Sequence, residues 1–119
     1  MANGDITKEI EYDKIEVVKT WDIQVRRATK VMEEQADGSK KELTRTFHRH
    51  VLMPFDSHIV YGSDGQPELD SDGKKKWTHT ATDISGEDAD VQSVCNAVWT
   101  DTVKNNFKTW AEDNFFALR

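Results

Sequence analysis

The residues of this chain best suited to chemistry are His48 and His50, in the segment RTFHRHVLM at 45–53. Residues two apart on a strand point to the same face, so two imidazoles at this spacing can chelate one zinc or iron ion. The chain offers four candidates for a third ligand: His58, His79, Asp22 and Cys95. None stands at a diagnostic spacing, and the expected cross-strand neighbour of His48 is the cation Arg26. The sequence therefore favours solvent-facing histidines over a metal site, and we expect no cofactor.

Phosphate binding is a second chemistry open to the same region. Cations gather there with one aromatic residue and the two histidines: Arg26, Arg27, Lys30, Arg45, Phe47, His48, Arg49 and His50. Such a basic ribbon can contact the phosphates of nucleic acid. However, the formal net charge of −6 and the pI near 5.1 are opposite to the usual footprint of a nucleic-acid-binding domain. Nucleic-acid binding stays an alternative, and the sequence favours ion pairs with the acidic start of a helix or with another subunit.

Signals for catalysis are weak, so we expect a non-enzymatic protein. The chain has no Gly-rich phosphate loop and no G-x-S-x-G motif. Cys95 lies within an apolar helical pattern, where a buried and inert thiol is the usual outcome. The segment ELDSDG at 68–73 resembles a calcium loop, but its twelfth position is His79, where calcium requires a bidentate glutamate. A solvated turn is the better interpretation of that segment.

Length and composition predict a single domain of residues 1–119, with residues 1–9 flexible. A chain of this size can build one core, and four Trp and five Phe supply large side chains for it. The N-terminal MANGDITKEI lacks the basic start and apolar run of a signal peptide, and no apolar stretch approaches the roughly 18–20 residues that span a bilayer. With one cysteine, we expect a reducing compartment, no internal disulfide and no membrane partner.

A β-hairpin of about residues 21–53 is the element that must position the basic segment. The sequence WDIQVRRATKVMEE at 21–34 alternates apolar and polar residues, and residues 40–53 alternate again. Between them, Asp-Gly at 37–38 is a strong turn signal. Together these patterns predict two long antiparallel strands joined by a tight turn.

A turn centred on Asp37 predicts a register in which the numbers of facing residues sum to 74. The apolar face then pairs Val31 with Leu43, Ile23 with Val51, Trp21 with Met53, Arg27 with Phe47 and Val25 with Arg49. Two guanidinium groups interrupt this face, and we expect them to stack on aromatics, reach solvent or meet acids of another element or chain. The other face, with His48 and His50, is expected to be wet.

Further strands and one helix complete an expected α+β fold, in which an antiparallel sheet of three to five strands is built on the hairpin. Strands are predicted near 10–18, near 58–61 and, as an edge strand, at 76–82, with a loop at 62–75. Within the first of these, the parity of the apolar residues shifts near Asp13-Lys14, which indicates a turn or bulge.

One long C-terminal helix is predicted at about 86–112, packed on the sheet, with Ser85 as its N-cap. Apolar residues there recur at spacings of three and four. The predicted core of the whole domain draws on both parts: Ile23, Val25, Val31, Phe47, Val51, Val94, Val98, Trp99 and Val103.

Four segments carry a resemblance to known sequences: YDKIEV, VRRATKV, RTFHRHVL and DISGEDADVQSVCNAVWTDTVKNNF. They resemble a family of small, mostly uncharacterised proteins encoded by tailed bacteriophages of marine bacteria, cyanophages included. The likeness spans about Tyr12 to Phe107, and GSDGQPELDSDGKKK departs from it. The resemblance implies a viral origin, expression inside a bacterial host and a place in the host cytoplasm or the virion. It implies no active site.

Charge segregation points to protein-protein contacts as the function. Residues 19–50 carry eight Lys/Arg and five Asp/Glu, a net +3, which leaves −9 for the rest of the chain. The expected partner-binding residues are Arg26, Arg27, Arg45, Phe47, His48, Arg49, His50 and Trp77. With the surplus aromatics, including those of the C-terminal NFFALR, this predicts a phage virion or assembly component, or a binder of a host protein, that forms a homo-oligomer.

Overall fold

A computed structural model describes residues 4–114, which form five strands and two helices. The elements are β1 (Ile6–Val18), β2 (Asp22–Glu34), β3 (Lys40–Leu52), β4 (Phe55–Ile59), β5 (Trp77–Ala81), α1 (Ala89–Val98) and α2 (Asp101–Asn114). The first three strands form an antiparallel sheet in the order β1-β2-β3, and β4 and β5 form a second, two-stranded sheet. The predicted α+β class and the long hairpin are confirmed. The expected single C-terminal helix is wrong, since there are two.

The turn between β2 and β3 forms where the sequence predicts it. Gly38 adopts a φ of 86°, which costs glycine little because it has no side chain beyond the backbone. The backbone N–H of Ser39 donates to Asp37 Oδ1 at 2.9 Å, and the N–H of Gly38 donates to the Gln35 carbonyl at 3.0 Å. Hydrogen bonds to its carboxylate from the Ser39 hydroxyl and then from the Ser39 backbone N–H lower the pKa of Asp37 below its ordinary value. The local residues therefore suffice to fix the reversal of the chain.

The predicted register of the hairpin holds only next to this turn. There Met32 faces Glu42, in agreement with a sum of 74, but the register shifts at the next pair, where Val31 faces Thr44. Leu43 is the extra residue of a β-bulge, in which two residues of one strand oppose one of its partner. Beyond the bulge every β3 side chain changes face relative to the prediction.

A break at Trp99 and Thr100 divides the predicted helix in two. The indole Nε1 of Trp99 donates to the Trp21 carbonyl at 2.7 Å, and Trp99 has a non-helical ψ of 68°. Thr100 then caps α2, because its Oγ1 accepts from the Val103 N–H at 3.3 Å. The first helix begins after Asp88, whose side chain accepts from the Asp90 N–H, so Asp88 takes the N-cap role predicted for Ser85.

Helix α1 covers only the end of the sheet that lies away from the turn. Fully buried residues of β2 and α1 meet there: Ile23, Val25, Val91 and Cys95, with Trp99 at their edge. Three residues of the predicted core are confirmed as buried, namely Ile23, Val25 and Trp99. Three further residues of the predicted core are partly buried and pack against this cluster: Val94, Val98 and Val103.

Two residues of the predicted core lie outside it. Phe47 and Val51 are 47% and 49% exposed, because the bulge turns them onto the sheet face opposite α1. Val31 is half-buried, farther toward the turn. The loss of Phe47 and Val51 from the core is a direct consequence of the one-residue change in register.

An aromatic cluster joins α2 to both sheets. The ring of Phe107, which is fully buried, lies 5.6 Å from Trp21 and 6.3 Å from Phe55 between ring centroids. Trp110 lies 5.6 Å from Trp21. These contacts make a second centre of packing, since Trp21 directly precedes β2 and Phe55 opens β4. The aromatic residues of the C-terminal NFFALR beyond position 114 lie outside the described residues.

The remainder of the three-stranded sheet extends beyond the helices as a ribbon. The molecule measures 72 × 31 × 22 Å, and its radius of gyration of 21.3 Å exceeds the about 14 Å of a compact domain of this length. The ribbon begins at Ile6, inside the segment 1–9 that the sequence predicts to be flexible. The predicted loop 62–75 contains two tight turns at Gly65 and Gly73.

The different environments of Ile23 and Val51 can be tested by truncation. We expect Ile23→Ala to lower the free energy of unfolding by about 2–5 kcal/mol, because it leaves a cavity under α1. The matched change Val51→Ala should lower it by less than about 1 kcal/mol, because the side chain is half exposed. Urea denaturation of the two variants measures both values. Equal losses of unfolding free energy in the two variants would contradict this register of β2 and β3.

Candidate protein-binding surface

The sheet face turned away from α1, here called the outer face, holds four of the eight predicted partner-binding residues: Arg26, Arg45, Phe47 and Arg49. Its members come from all three strands and alternate with the residues under the helix: Glu9, Glu11, Lys14, Glu16, Arg26, Lys30, Arg45, Phe47, Arg49 and Val51. The bulge at Leu43 places Phe47 opposite Ala28 and Arg49 opposite Arg26. The predicted pairings of Arg27 with Phe47 and of Arg49 with Val25 are wrong for that reason.

Arg26 is the most constrained cation of the outer face. Its Nε and Nη2 donate to the two carboxylate oxygens of Asp13 at 3.0 and 2.7 Å, and its guanidinium carbon lies 4.4 Å from the centre of the Phe47 ring. Asp13 reaches it because the register of β1 and β2 shifts between Tyr12 and Lys14, which leaves Asp13 as a bulge residue. The hydrogen bonds from Arg26 lower the pKa of Asp13. Arg26 is thus held between an acid and an aromatic ring.

Three more cations of the outer face have acidic partners: Arg45, Lys30 and Lys14, whose Nζ lies 3.6 Å from Glu16 Oε1. Arg45 donates from Nε and Nη2 to Glu42 at 3.1 and 2.7 Å, which lowers the pKa of Glu42. Lys30 Nζ lies 3.1 Å from Glu11 Oε2. These pairs are largely solvated, so each contributes little to stability, but together they neutralise much of the basic ribbon seen in the sequence.

Arg49 differs from its neighbours on the outer face. It is exposed and directly faces Arg26, a like charge, and it has no hydrogen bond or ion pair within residues 4–114. A cation beside a second cation is stabilised when an acid approaches it. Arg49 is therefore the residue of this face best placed to receive an acidic group from outside.

Three of the predicted partner-binding residues lie on the other side of the sheet. His48 faces Arg27 and His50 faces Val25, on the face that α1 covers. His50 Nε2 lies 2.9 Å from Glu87 Oε1, just before α1, so this imidazole links the sheet to the helix start. The Nε of Arg27 is buried without a hydrogen-bond partner in the described part of the chain. The expected neighbour of His48 was Arg26, and the structure places Arg27 there.

The candidate metal ligands do not converge within residues 4–114. No group of three or more His, Cys, Asp or Glu side chains there is arranged to hold a metal ion. Cys95 is fully buried, and burial raises the pKa of its thiol, which disfavours the nucleophilic thiolate. Among the same residues, no helix is long and apolar enough to cross a membrane.

Trp77 lies in the second sheet, beside a hydrogen-bonded network of three side chains that the sequence analysis missed. Its ring stacks on His79, with centroids 6.2 Å apart. His79 Nδ1 and Ser57 Oγ share a hydrogen bond of 2.7 Å, and His79 Nε2 lies 2.7 Å from Glu112 Oε2. Ser57 and His79 are cross-strand partners on β4 and β5, and Glu112 comes from α2. No local motif could reveal this set, because its members come from three elements far apart in sequence.

The network of Ser57, His79 and Glu112 has the residue types of a nucleophilic triad, but its serine lacks the access to solvent that a nucleophile needs. Ser57 is 7% exposed in the middle of β4. The adjacent cavity, of about 370 Å³, is lined by Trp77 and Glu112 but not by Ser57. A nucleophile must reach its substrate, so this geometry suits a link between α2 and the small sheet better than catalysis.

No protein-family model, curated protein or solved structure matches this chain.

The Asp13–Arg26 pair predicts a dependence of stability on pH. The pKa of Asp13 is below its ordinary 3.8 in the folded state, so its contribution is complete above pH 3.8 and is lost as the pH falls through the folded value. We therefore expect wild type to be more stable than Asp13→Asn at pH 6, with a difference that shrinks below pH 3.8. Urea denaturation at several pH values measures this difference. A constant difference from pH 6 to pH 2 would contradict the assignment.

Ser57 is expected to be unreactive because it is buried. A fluorophosphonate probe, which labels activated serines, should leave the protein unmodified in intact-mass spectrometry, while a serine hydrolase labelled in parallel controls for probe activity. The variant Ser57→Ala should give the same spectrum as wild type. Labelling of wild type that the variant abolishes would establish a reactive serine and contradict a purely structural role.

Proposed function

We propose that this chain is a non-enzymatic bacteriophage protein that acts through protein-protein contacts, as a repeated component of the virion or of its assembly. The observation that carries the proposal is the ribbon of β1, β2 and β3, which extends beyond the helices with both outer strands unpaired within residues 4–114. A long exposed strand edge is a template for pairing with another chain. The phage origin rests on the resemblance of the sequence segments alone.

Exposed apolar side chains along the ribbon support protein docking. Ile6 and Ile10 of β1 are 57% and 61% exposed, and Leu43, Phe47 and Val51 of β3 are about half exposed. Single exposed apolar residues are common, but these five lie on the two outer strands of one sheet, with Ile6 and Ile10 on the helix-side face and Phe47 and Val51 on the outer face. Partners that cover both faces of the ribbon would remove their surface from water, which favours association.

The pattern of ion pairs gives less support to nucleic-acid binding. Arg26, Lys30 and Arg45 already bond to acids, and phosphates would have to compete with those carboxylates. The acids of β1 lie on the same outer face and would repel a polyanion. The outer face therefore carries charges of both signs, which is more typical of a surface that binds a protein than of one that binds nucleic acid.

Light scattering and particle analysis test the proposal. We expect the purified protein to have a weight-average mass above its 13.7 kDa monomer at high concentration, and to occur at high copy in purified particles of the phage that encodes it. A strict monomer that is absent from particles would overturn the proposal. Absence from particles with specific retention of one host protein would instead identify a host-protein binder.

The nucleic-acid alternative has its own readout. Fluorescence anisotropy with labelled DNA and RNA should show no binding at physiological salt. Binding that weakens steeply as salt rises, and that is lost in a variant with Arg26, Lys30 and Arg45 changed, would favour the alternative.

A further inference from the structure

The two free edges of the three-stranded sheet carry opposite charges. With histidines neutral, β3 has four Lys/Arg and one Glu, a net +3, whereas β1 has two Lys and four Asp/Glu, a net −2. β2 lies between them with three charges of each sign. Neither outer strand pairs with a further strand in the described residues. The sheet is thus polarised across its width, from an acidic edge to a basic edge.

We propose that copies of this chain join edge to edge, with β3 of one copy pairing with β1 of the next in a head-to-tail array. This inference rests on the proposed function and specifies the interface that it would use. Pairing of two β3 edges would place +3 against +3, and pairing of two β1 edges would place −2 against −2. Like charges across a strand pair are destabilising. Charge therefore disfavours both symmetric arrangements and favours the β3–β1 arrangement.

The strand directions define the geometry of this pairing. β1 and β3 are both antiparallel to β2, so they run parallel to each other. When the sheet continues into the next copy with its helix-covered face on the same side, β3 and the incoming β1 form a parallel pair. Such a pair leaves all outer faces on one side of the array, so outer-face charges of neighbouring copies can meet.

The register within one chain indicates which charges would meet. Glu9 and Arg45 both pair with Lys30, so they stand at the same level of the sheet on the same face. An aligned neighbour would place its Glu9 beside Arg45. Glu16 stands level with Val51, because both pair with Gln24, and Val51 is the next β3 residue after Arg49 on the outer face. Lys14 of the neighbour would stand level with Arg49, since both pair with Arg26, and Glu16, whose carboxylate lies 3.6 Å from the Lys14 ammonium, would approach Arg49 from the next outer-face position.

The length of the two outer strands also supports another copy of this chain as the partner. Each outer strand has 13 residues, beyond the about 3–10 that are usual for strands in globular proteins. Proteins commonly protect such edges with charges of one sign, bulges or covering elements. Here the charges of each edge repel a copy of itself but attract the opposite edge. A head-to-tail interface of this kind closes into a ring or continues as a helical filament.

Charge reversal at the two edges tests the inference directly. The β3-edge variant is Arg45→Glu with Arg49→Glu, and the β1-edge variant is Glu9→Lys with Glu16→Lys. The first changes β3 from +3 to −1 and the second changes β1 from −2 to +2, so in each variant both edges have the same sign. We expect each variant alone to associate at least about tenfold more weakly than wild type. An equimolar mixture of the two variants should associate again. The acidic β3 of the first can then pair with the basic β1 of the second, and the basic β3 of the second with the acidic β1 of the first.

Sedimentation velocity of wild type, each variant and the mixture provides the measurement. The matched controls carry the same charge changes in the 62–76 loop: Lys74→Glu with Lys76→Glu, and Glu68→Lys with Asp72→Lys. Circular dichroism and thermal unfolding establish that every variant is folded. Controls that assemble like wild type, with edge variants that assemble only when mixed, would support the inference.

Each other result has a defined meaning. Edge variants that assemble like wild type, or a mixture of folded variants that stays dissociated, would overturn the β3–β1 interface and leave the proposed function in place with another surface. Stronger association of the β3-edge variant alone would indicate a symmetric β3–β3 contact and overturn the inference. Dissociation of the loop controls would assign the effect to net charge and overturn it too. A monomeric wild type at every concentration would overturn it and remove the self-association part of the proposed function.

Discussion

The three-stranded sheet is much longer than the helix that covers it, and this mismatch determines most of the molecule's surface. Strands of 13 residues extend about 43 Å, whereas the 10 residues of α1 extend about 15 Å. Burial of Ile23 and Val25 under Val91 and Cys95 can therefore stabilise only one end of the sheet directly. The other end depends on its cross-strand hydrogen bonds and on side-chain pairs along the ribbon. It exposes backbone edges and apolar side chains that a compact domain would cover.

Two β-bulges determine which charges meet on the outer face. The bulge at Asp13 directs its carboxylate to Arg26, and the bulge at Leu43 brings Phe47 to the same face, where its ring lies beside the guanidinium. Arg26, Asp13 and Phe47 thus form one unit from three strands. Without either bulge, the acid or the ring would lie on the other side of the sheet. The same shift leaves Arg49 exposed beside Arg26, so the bulges both satisfy one cation and expose another.

The two packing centres of the molecule have different chemical characters. The centre under α1 is aliphatic and holds the buried Cys95, while the centre around α2 is aromatic and includes Trp21, Phe55 and Phe107. The hydrogen bond from Trp99 to the Trp21 carbonyl connects them at the break between the helices. The chain of Ser57, His79 and Glu112 then ties the end of α2 to the small sheet. These polar residues resemble catalytic types, but they link three elements and the serine among them is buried.

Local patterns in the sequence determined the hairpin, its turn, the α+β class and the burial of Ile23, Val25 and Trp99, because alternation and helical spacing act over a few residues. The parity shift of the apolar residues near Asp13-Lys14 already indicated a turn or bulge there, and the register of β1 and β2 does shift between Tyr12 and Lys14. Tertiary structure alone decided the bulge at Leu43, the helix break at Trp99 and the pairing of Asp13 with Arg26. The bulge at Leu43 depends on how β2 and β3 fit each other and the core, and no single segment contains that information. The sequence therefore identified the basic and aromatic residues of the ribbon, while the fold decided which of them share a face.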